Sequence, residues 1–186
     1  MRLRWLLSAA LLLPAASPRA AEGDLILDEA RGFSLRKLAD PKEASDWIFE
    51  ADPGPGIALL VRHAEVMGLG ITVRCLRCGQ AKAKDLKEEV AGVEAAVRGS
   101  RLDGKAPQAG KKRSRWFSGE KDYEWNVVIE TPTNDIFENR IYLWLSKANS
   151  SVYRVDVSLV KGDWDRYRPQ IERMLGSFAT FPLKGK

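Results

Sequence analysis

The sequence predicts an α+β fold: a mostly antiparallel β-sheet flanked by helices. Three observations predict it. Short runs alternate apolar and polar residues between turn formers, as strands joined in hairpins do. Helical spacing of apolar residues is sustained in two longer segments, one in mid-chain and one at the end. The run Arg140-Ile-Tyr-Leu-Trp-Leu145 is apolar on both faces, which suits a central strand covered on both sides.

The first residues stand apart from that pattern. Arg2 and Arg4 precede the apolar run Trp5 to Leu13, Pro14 breaks it, and small residues follow through Ala21. This reads as a secretory signal peptide over residues 1–21, too short for a membrane span and cleaved within Ala16 to Ala21. No cysteine lies near the cleavage window, so a lipid anchor is not expected. Residues 22–186 then suit a single domain with a sizeable core. They contain no further apolar run of membrane-spanning length. The formal charge of +5 falls to +2 once Arg2, Arg4 and Arg19 leave with the signal.

The elements follow in order. Asp24 to Leu38 alternates loosely and predicts a hairpin turning at Arg31-Gly32. Asp40-Pro41-Lys42-Glu43 is a helix start: Asp caps, Pro occupies the first turn and Glu meets the positive end of the dipole. That helix is brief, because Trp47 to Ala51 reads as a strand. Asp52-Pro-Gly-Pro-Gly56 breaks the chain. Ile57 to Arg62 and Gly70 to Cys75 form a hairpin around Glu65 to Gly68.

Lys82 to Arg98 is a helix with the stripe Leu86, Val90, Val93 and Val97. Gly99 to Arg115 reads as a loop, and Trp116-Phe117 as the start of a strand turning at Ser118-Gly119. Tyr123 to Ile129 is another strand, with Tyr123, Trp125, Val127 and Ile129 on one face. Thr131 to Asn134 turns the chain back to Arg140. In that next strand Ile141, Leu143 and Leu145 line one face, and Tyr142 and Trp144 the other. Lys147 to Ser151 joins it to Val152 to Leu159, where Tyr153, Val155, Val157 and Leu159 oppose Arg154, Asp156 and Ser158. The closing helix carries Tyr167, Ile171, Met174, Leu175 and Phe178 on one face. Asp163 and Asp165 offer caps, Pro169 is expected near its start and Gly176 at its stop.

Gly32-Phe33-Ser34 near the mature start, the mid-chain helix, Val152-Tyr153-Arg154-Val155 and the closing Leu175-Gly-Ser-Phe178 together form a pattern. It resembles the PsbP/Mog1-like superfamily over most of the mature chain. The resemblance implies an α/β/α sandwich with a central antiparallel sheet between helices. Members are mostly accessory or binding proteins, including photosystem subunits and exported bacterial proteins. The superfamily shares no catalytic motif, so the resemblance carries over no catalytic residue.

Cys75 and Cys78 form Cys-Leu-Arg-Cys after a strand and before a helix. An even pair in an exported chain points to a disulfide. The alternative is thiol–disulfide exchange, where Arg74 and Arg77 would favour the thiolate and Thr131-Pro132 would stand in for a proline loop. His63 is the single histidine, too few nitrogen donors for a four-ligand zinc site, so no metal or other cofactor is expected. It reads as a packed strand-end side chain.

Between Gly99 and Arg115 lie Arg101, Lys105, Lys111, Lys112, Arg113 and Arg115 against Asp103. Lys111, Lys112, Arg113 and Arg115 could grip an anionic surface; the plainer reading is a solvated loop. Arg140, Tyr142, Trp144, Arg154 and Asp156 are candidates for a groove on one sheet face, against the plainer reading of a helix covering the aromatics while Arg154 and Asp156 pair at its rim.

No convincing catalytic set emerges. The expectation is an exported, periplasmic or extracellular, non-catalytic binding or accessory module, whose partner is an envelope protein or an anionic ligand and not nucleic acid. An oxidoreductase using Cys75 and Cys78, and a basic-loop adaptor for an anionic envelope surface, are the alternatives.

Overall fold

The computed structural model describes residues 24–99, 108–109, 113–117, 120–130 and 136–184, with side chains described over 24–99, 127–128 and 137–184. The signal-peptide reading, the Thr131-Pro132 turn and most of the basic segment, including Lys111 and Lys112, lie outside the described residues.

The chain opens with a hairpin, β1 (Leu25–Asp28) and β2 (Phe33–Arg36), followed by the short helix α1 (Pro41–Ser45). Then come β3 (Trp47–Gly54), β4 (Ile57–His63), β5 (Gly70–Cys75) and the helix α2 (Ala83–Gly99). Two short strands follow, β6 (Gln108–Ala109) and β7 (Arg113–Phe117). The long strands β8 (Glu120–Glu130), β9 (Ile136–Ser146) and β10 (Ser151–Val160) lead to the helix α3 (Trp164–Gly176) and a last strand, β11 (Ala179–Thr180). The large sheet runs β3-β4-β5-β10-β9-β8-β6, with β7 also paired to β8. A small sheet, β1-β2-β11, sits beside it. Every pairing is antiparallel. The α+β class and antiparallel sheet expected from the sequence are present.

Alternation along the strands gives each face of the large sheet its own cover. One face presents Trp47, Leu59, Val61, Ile71, Val73, Tyr142, Trp144, Tyr153, Val155, Val157 and Leu159. The small sheet and the apolar side of α3 close over it with Phe33, Leu35, Trp164, Tyr167, Ile171, Met174, Leu175 and Phe178. The other face presents Val127, Ile141, Leu143 and Val152, and α2 lays Val90, Val93 and Val97 on them.

Several local readings change. The segment 99–115 is not one loop: it contains β6, and β7 begins at Arg113, because both strands find a ladder on β8. Asp52-Pro-Gly-Pro-Gly56 does not end β3 at Ala51. The strand continues to Gly54 through a register shift, with Asp52 at φ 49°. Pro169 lies inside α3, since the buried Trp164 anchors the helix start five residues earlier. Its missing N–H leaves the Asp165 carbonyl without its helical donor. Gly176 is the last helical residue rather than a left-handed stop, and Ser177 caps with a right-handed backbone. Asp40 behaves as read, accepting from the Lys42 N–H.

Candidate functional site

The cross-strand register decides which polar side chains meet. A four-residue turn, Lys147 to Ser150, sets Ser146 opposite Ser151. Tyr142 therefore faces Val155, Trp144 faces Tyr153, and Arg140 faces Val157, all on the side covered by α3. Arg154 faces Leu143, and Asp156 faces Ile141, on the side covered by α2. The expected groove of Arg140, Tyr142, Trp144, Arg154 and Asp156 is thus split by the sheet into two sets that cannot line one site.

The first set is structural. Trp144 is fully buried, stacked on Tyr153 at 5.4 Å and meeting Phe178 edge-on at 5.0 Å. The Arg140 guanidinium lies 3.3 Å above the Trp164 ring and bonds Glu138 at 3.1 Å, closing the edge of that core.

The second set gains a partner that sequence reasoning left elsewhere. On the next strand, Arg74 stands directly opposite Arg154. Like charges in that position repel. Asp156 lies one step along the same face and holds both: Arg154 donates to it from Nε at 2.8 Å, and Arg74 Nη1 makes a short ion pair to its other oxygen. Side-chain exposures of 32%, 28% and 18% for Arg74, Arg154 and Asp156 leave the trio half-open.

The opening is a cavity of about 310 Å³ between α2 and the sheet. Val93, Val97, Val127 and Ile141 form its apolar walls, Ala96 stands at its rim, the arginine pair with Asp156 forms its polar end, and Asn139 is a further polar lining residue. Its size is at the low end for small-ligand sites, roughly 300–1,000 Å³.

Cys75 and Cys78 are joined by a disulfide, with Cα atoms 5.7 Å apart. It closes the turn that follows β5. Leu76 N–H donates to the Val152 carbonyl at 2.6 Å, Gly79 N–H to Ser151 Oγ at 2.8 Å, and Ala81 N–H to the Ser150 carbonyl at 2.7 Å. The alternative exchange reading needs Arg74 and Arg77 beside a thiolate. Instead, Arg74 turns to Asp156 on the opposite sheet face, and Arg77 approaches Glu89 at 4.0 Å. The strand that delivers Cys75 is antiparallel to both neighbours, unlike the parallel unit that frames redox Cys-x-x-Cys motifs.

His63 is buried at the end of β4, packed edge-on to Trp47 at 5.3 Å and Tyr167 at 5.2 Å. Its Nδ1 accepts from the Glu65 and Val66 N–H groups, each at 3.2 Å. Nδ1 is therefore unprotonated, and the ring pins the β4–β5 turn. Arg113 and Arg115 lie on β7, in register with Glu124 and Asp122 of β8. Among the described residues, no group of three or more His, Cys, Asp or Glu could hold a metal ion. Nor is any helix among them long and apolar enough to cross a membrane.

No family model matches the chain, and neither does any curated protein. Solved structures do match. Cyanobacterial PsbP from Synechocystis sp. PCC 6803 is 14% identical, with a TM-score of 0.54, over 91% of this chain and 99% of that one. A Bacteroides thetaiotaomicron VPI-5482 protein is 11% identical, with a TM-score of 0.59, over 88% of this chain and 50% of its own. LpqN, involved in cell envelope biogenesis of Mycobacterium tuberculosis, is 7% identical, with a TM-score of 0.54, over 90% and 88%. At such identities the likeness concerns architecture, and on that ground the chain has the PsbP-like fold.

Proposed function

We propose that this chain is an exported accessory module of the cell envelope that acts by binding rather than by making or breaking bonds. The observation that carries the reading is the cleft between α2 and the sheet, apolar along its walls and cationic at its end. Such a cleft can hold a ligand, and among the described residues none of its lining side chains is a nucleophile paired with a base.

Two further features support export. The Arg-flanked apolar run ahead of Ala21 has the form of a secretory signal. The Cys75–Cys78 disulfide belongs to an oxidising compartment. The likeness to LpqN, an envelope biogenesis protein, fits the same setting. Residues 22–186 then act as one unit.

Fractionation of the native cell with N-terminal sequencing tests this. The expected product lies outside the cytoplasm, starts between Ser17 and Glu22 and keeps its cysteines oxidised. A full-length cytoplasmic protein beginning at Met1, with free thiols, would overturn the reading.

A further inference from the structure

We infer that the cleft between α2 and the sheet binds a single-chain amphiphile with one negative charge, of the fatty-acid class, its carboxylate on Arg74 and Arg154. The inference deepens the binding-module reading and rests on it.

Three observations on the cleft lead there. First, Arg74 and Arg154 are placed directly opposite each other on neighbouring strands. An ion pair at a helix rim needs one cation for one acid. Here two cations share Asp156, which leaves one positive charge over. Among the described residues, Asp156 is the acid that meets either guanidinium. A guanidinium carries five donors in a planar fork suited to carboxylate oxygens, so the pair keeps donors to spare. Second, apart from Asn139, the rest of the described wall is aliphatic, from Val93, Ala96, Val97, Val127 and Ile141. A small polar anion would leave that surface uncovered, whereas an acyl chain covers it and gains the burial energy. Third, the cavity of about 310 Å³ is small. It suits one short chain or its end, not a two-chain phospholipid.

The charge count chooses the headgroup. One surplus positive charge is neutralised by a monoanion. A phosphate monoester near its second ionisation brings up to two negative charges beside Asp156, and the second has no partner among the described residues. Carboxylate therefore fits better than phosphate on the same chain.

Calorimetric titration of the mature, oxidised protein with octanoate, octan-1-ol, acetate and octyl phosphate tests this. Octanoate should bind saturably at one site, with the other three at least ten-fold weaker. Arg154→Met keeps the Arg74–Asp156 pair and should weaken octanoate at least ten-fold. Ala96→Trp, at an exposed position on the cleft rim, should block octanoate without disturbing the pair, and serves if the arginine variant fails to fold. No saturable octanoate binding overturns the inference. So does equal binding by octan-1-ol, tighter binding of octyl phosphate, or unchanged octanoate binding in Ala96→Trp. An exported protein that ignores octanoate removes this ligand class and leaves the envelope reading standing; a cytoplasmic protein that binds it does the reverse.

Discussion

On the face covered by α3, the large sheet carries interlocked rings; on the face covered by α2, the described side chains form an aliphatic layer that stops at three charged ones. Phe33, Trp144, Tyr153 and Phe178 contact one another at centroid distances between 5.0 and 6.0 Å, and each is at most 1% exposed. Among the described residues the buried side chains of the α2 face include no comparable ring cluster, and a cavity remains beside Val93 and Val97. The same strands supply both faces. Arg154 sits between Tyr153 and Val155, each fully buried on the opposite side. One face is packed to hold the fold, which leaves the other free to keep an opening and surplus charge.

The largest test of that contrast is Trp144→Ala. It removes the ring stacked on Tyr153 and should cost about 3–5 kcal/mol by chemical denaturation. Val97→Ala, beside the existing cavity, should cost only about 1 kcal/mol, because fewer contacts are lost there. Equal costs would mean that the two faces share the load and the contrast fails.

Gly32→Ala comes next. Gly32 has φ +69°, and an added Cβ would lie 2.5 Å from Asn149 Nδ2 and 2.7 Å from the Phe181 carbonyl oxygen. Its own carbonyl accepts from Asn149 Nδ2 and from the Phe181 N–H, so this turn ties the small sheet to the β9–β10 hairpin. Backbone strain and displacement together should cost roughly 2–4 kcal/mol. A shift of the denaturation midpoint equivalent to under ~1 kcal/mol would show that the turn yields easily.

His63→Leu should follow at about 2 kcal/mol, since the Glu65 and Val66 N–H groups lose their acceptor. His63→Asn supplies a side-chain oxygen and should recover part of that loss. If the two variants are equally unstable, the ring's packing matters and its hydrogen bonds do not.

How far the sequence foretold this contrast depends on the range of each signal. Val152 to Leu159 alternates as written, and α2 and α3 carry their apolar stripes, because those patterns are local. Which strand faces pair is a different matter. The Lys147–Ser150 turn aligns even positions of β9 with odd positions of β10. A one-residue error in that parity moves every side chain to the other face. That is why Arg154 seemed to join Tyr142 and Trp144. Arg74 and Asp156 lie 82 positions apart, and no local pattern announces their meeting. Arg74, next to the Cys-x-x-Cys motif, reads locally as a thiolate partner, yet strand alternation sends it to the opposite face of the sheet from Cys75. The short β6 and the start of β7 at Arg113 were equally hidden, since their pairing depends on β8 and not on their own composition; of β7 only Trp116-Phe117 reads as strand.

Asp156→Asn probes the charged end of the open face. It leaves Arg74 and Arg154 opposed without a shared carboxylate. Partial exposure screens their repulsion, so a loss of about 1 kcal/mol is expected, shrinking as salt is added. A loss independent of salt would mean that shape rather than charge holds this end together.

The smallest effect should be a gain. Gly92 lies in α2 with open space around the position of an added Cβ. Alanine there would lower the backbone entropy of the unfolded chain and suit the helix better, adding about 0.5–1 kcal/mol. Because α2 is the cover of the cleft, that gain also bears on function. A stiffer α2 over an already formed cavity should raise the melting temperature and leave octanoate affinity unchanged. If Gly92→Ala stabilises the fold but weakens binding several-fold, α2 has to move for the ligand to enter, and the open face is a gate rather than a preformed site.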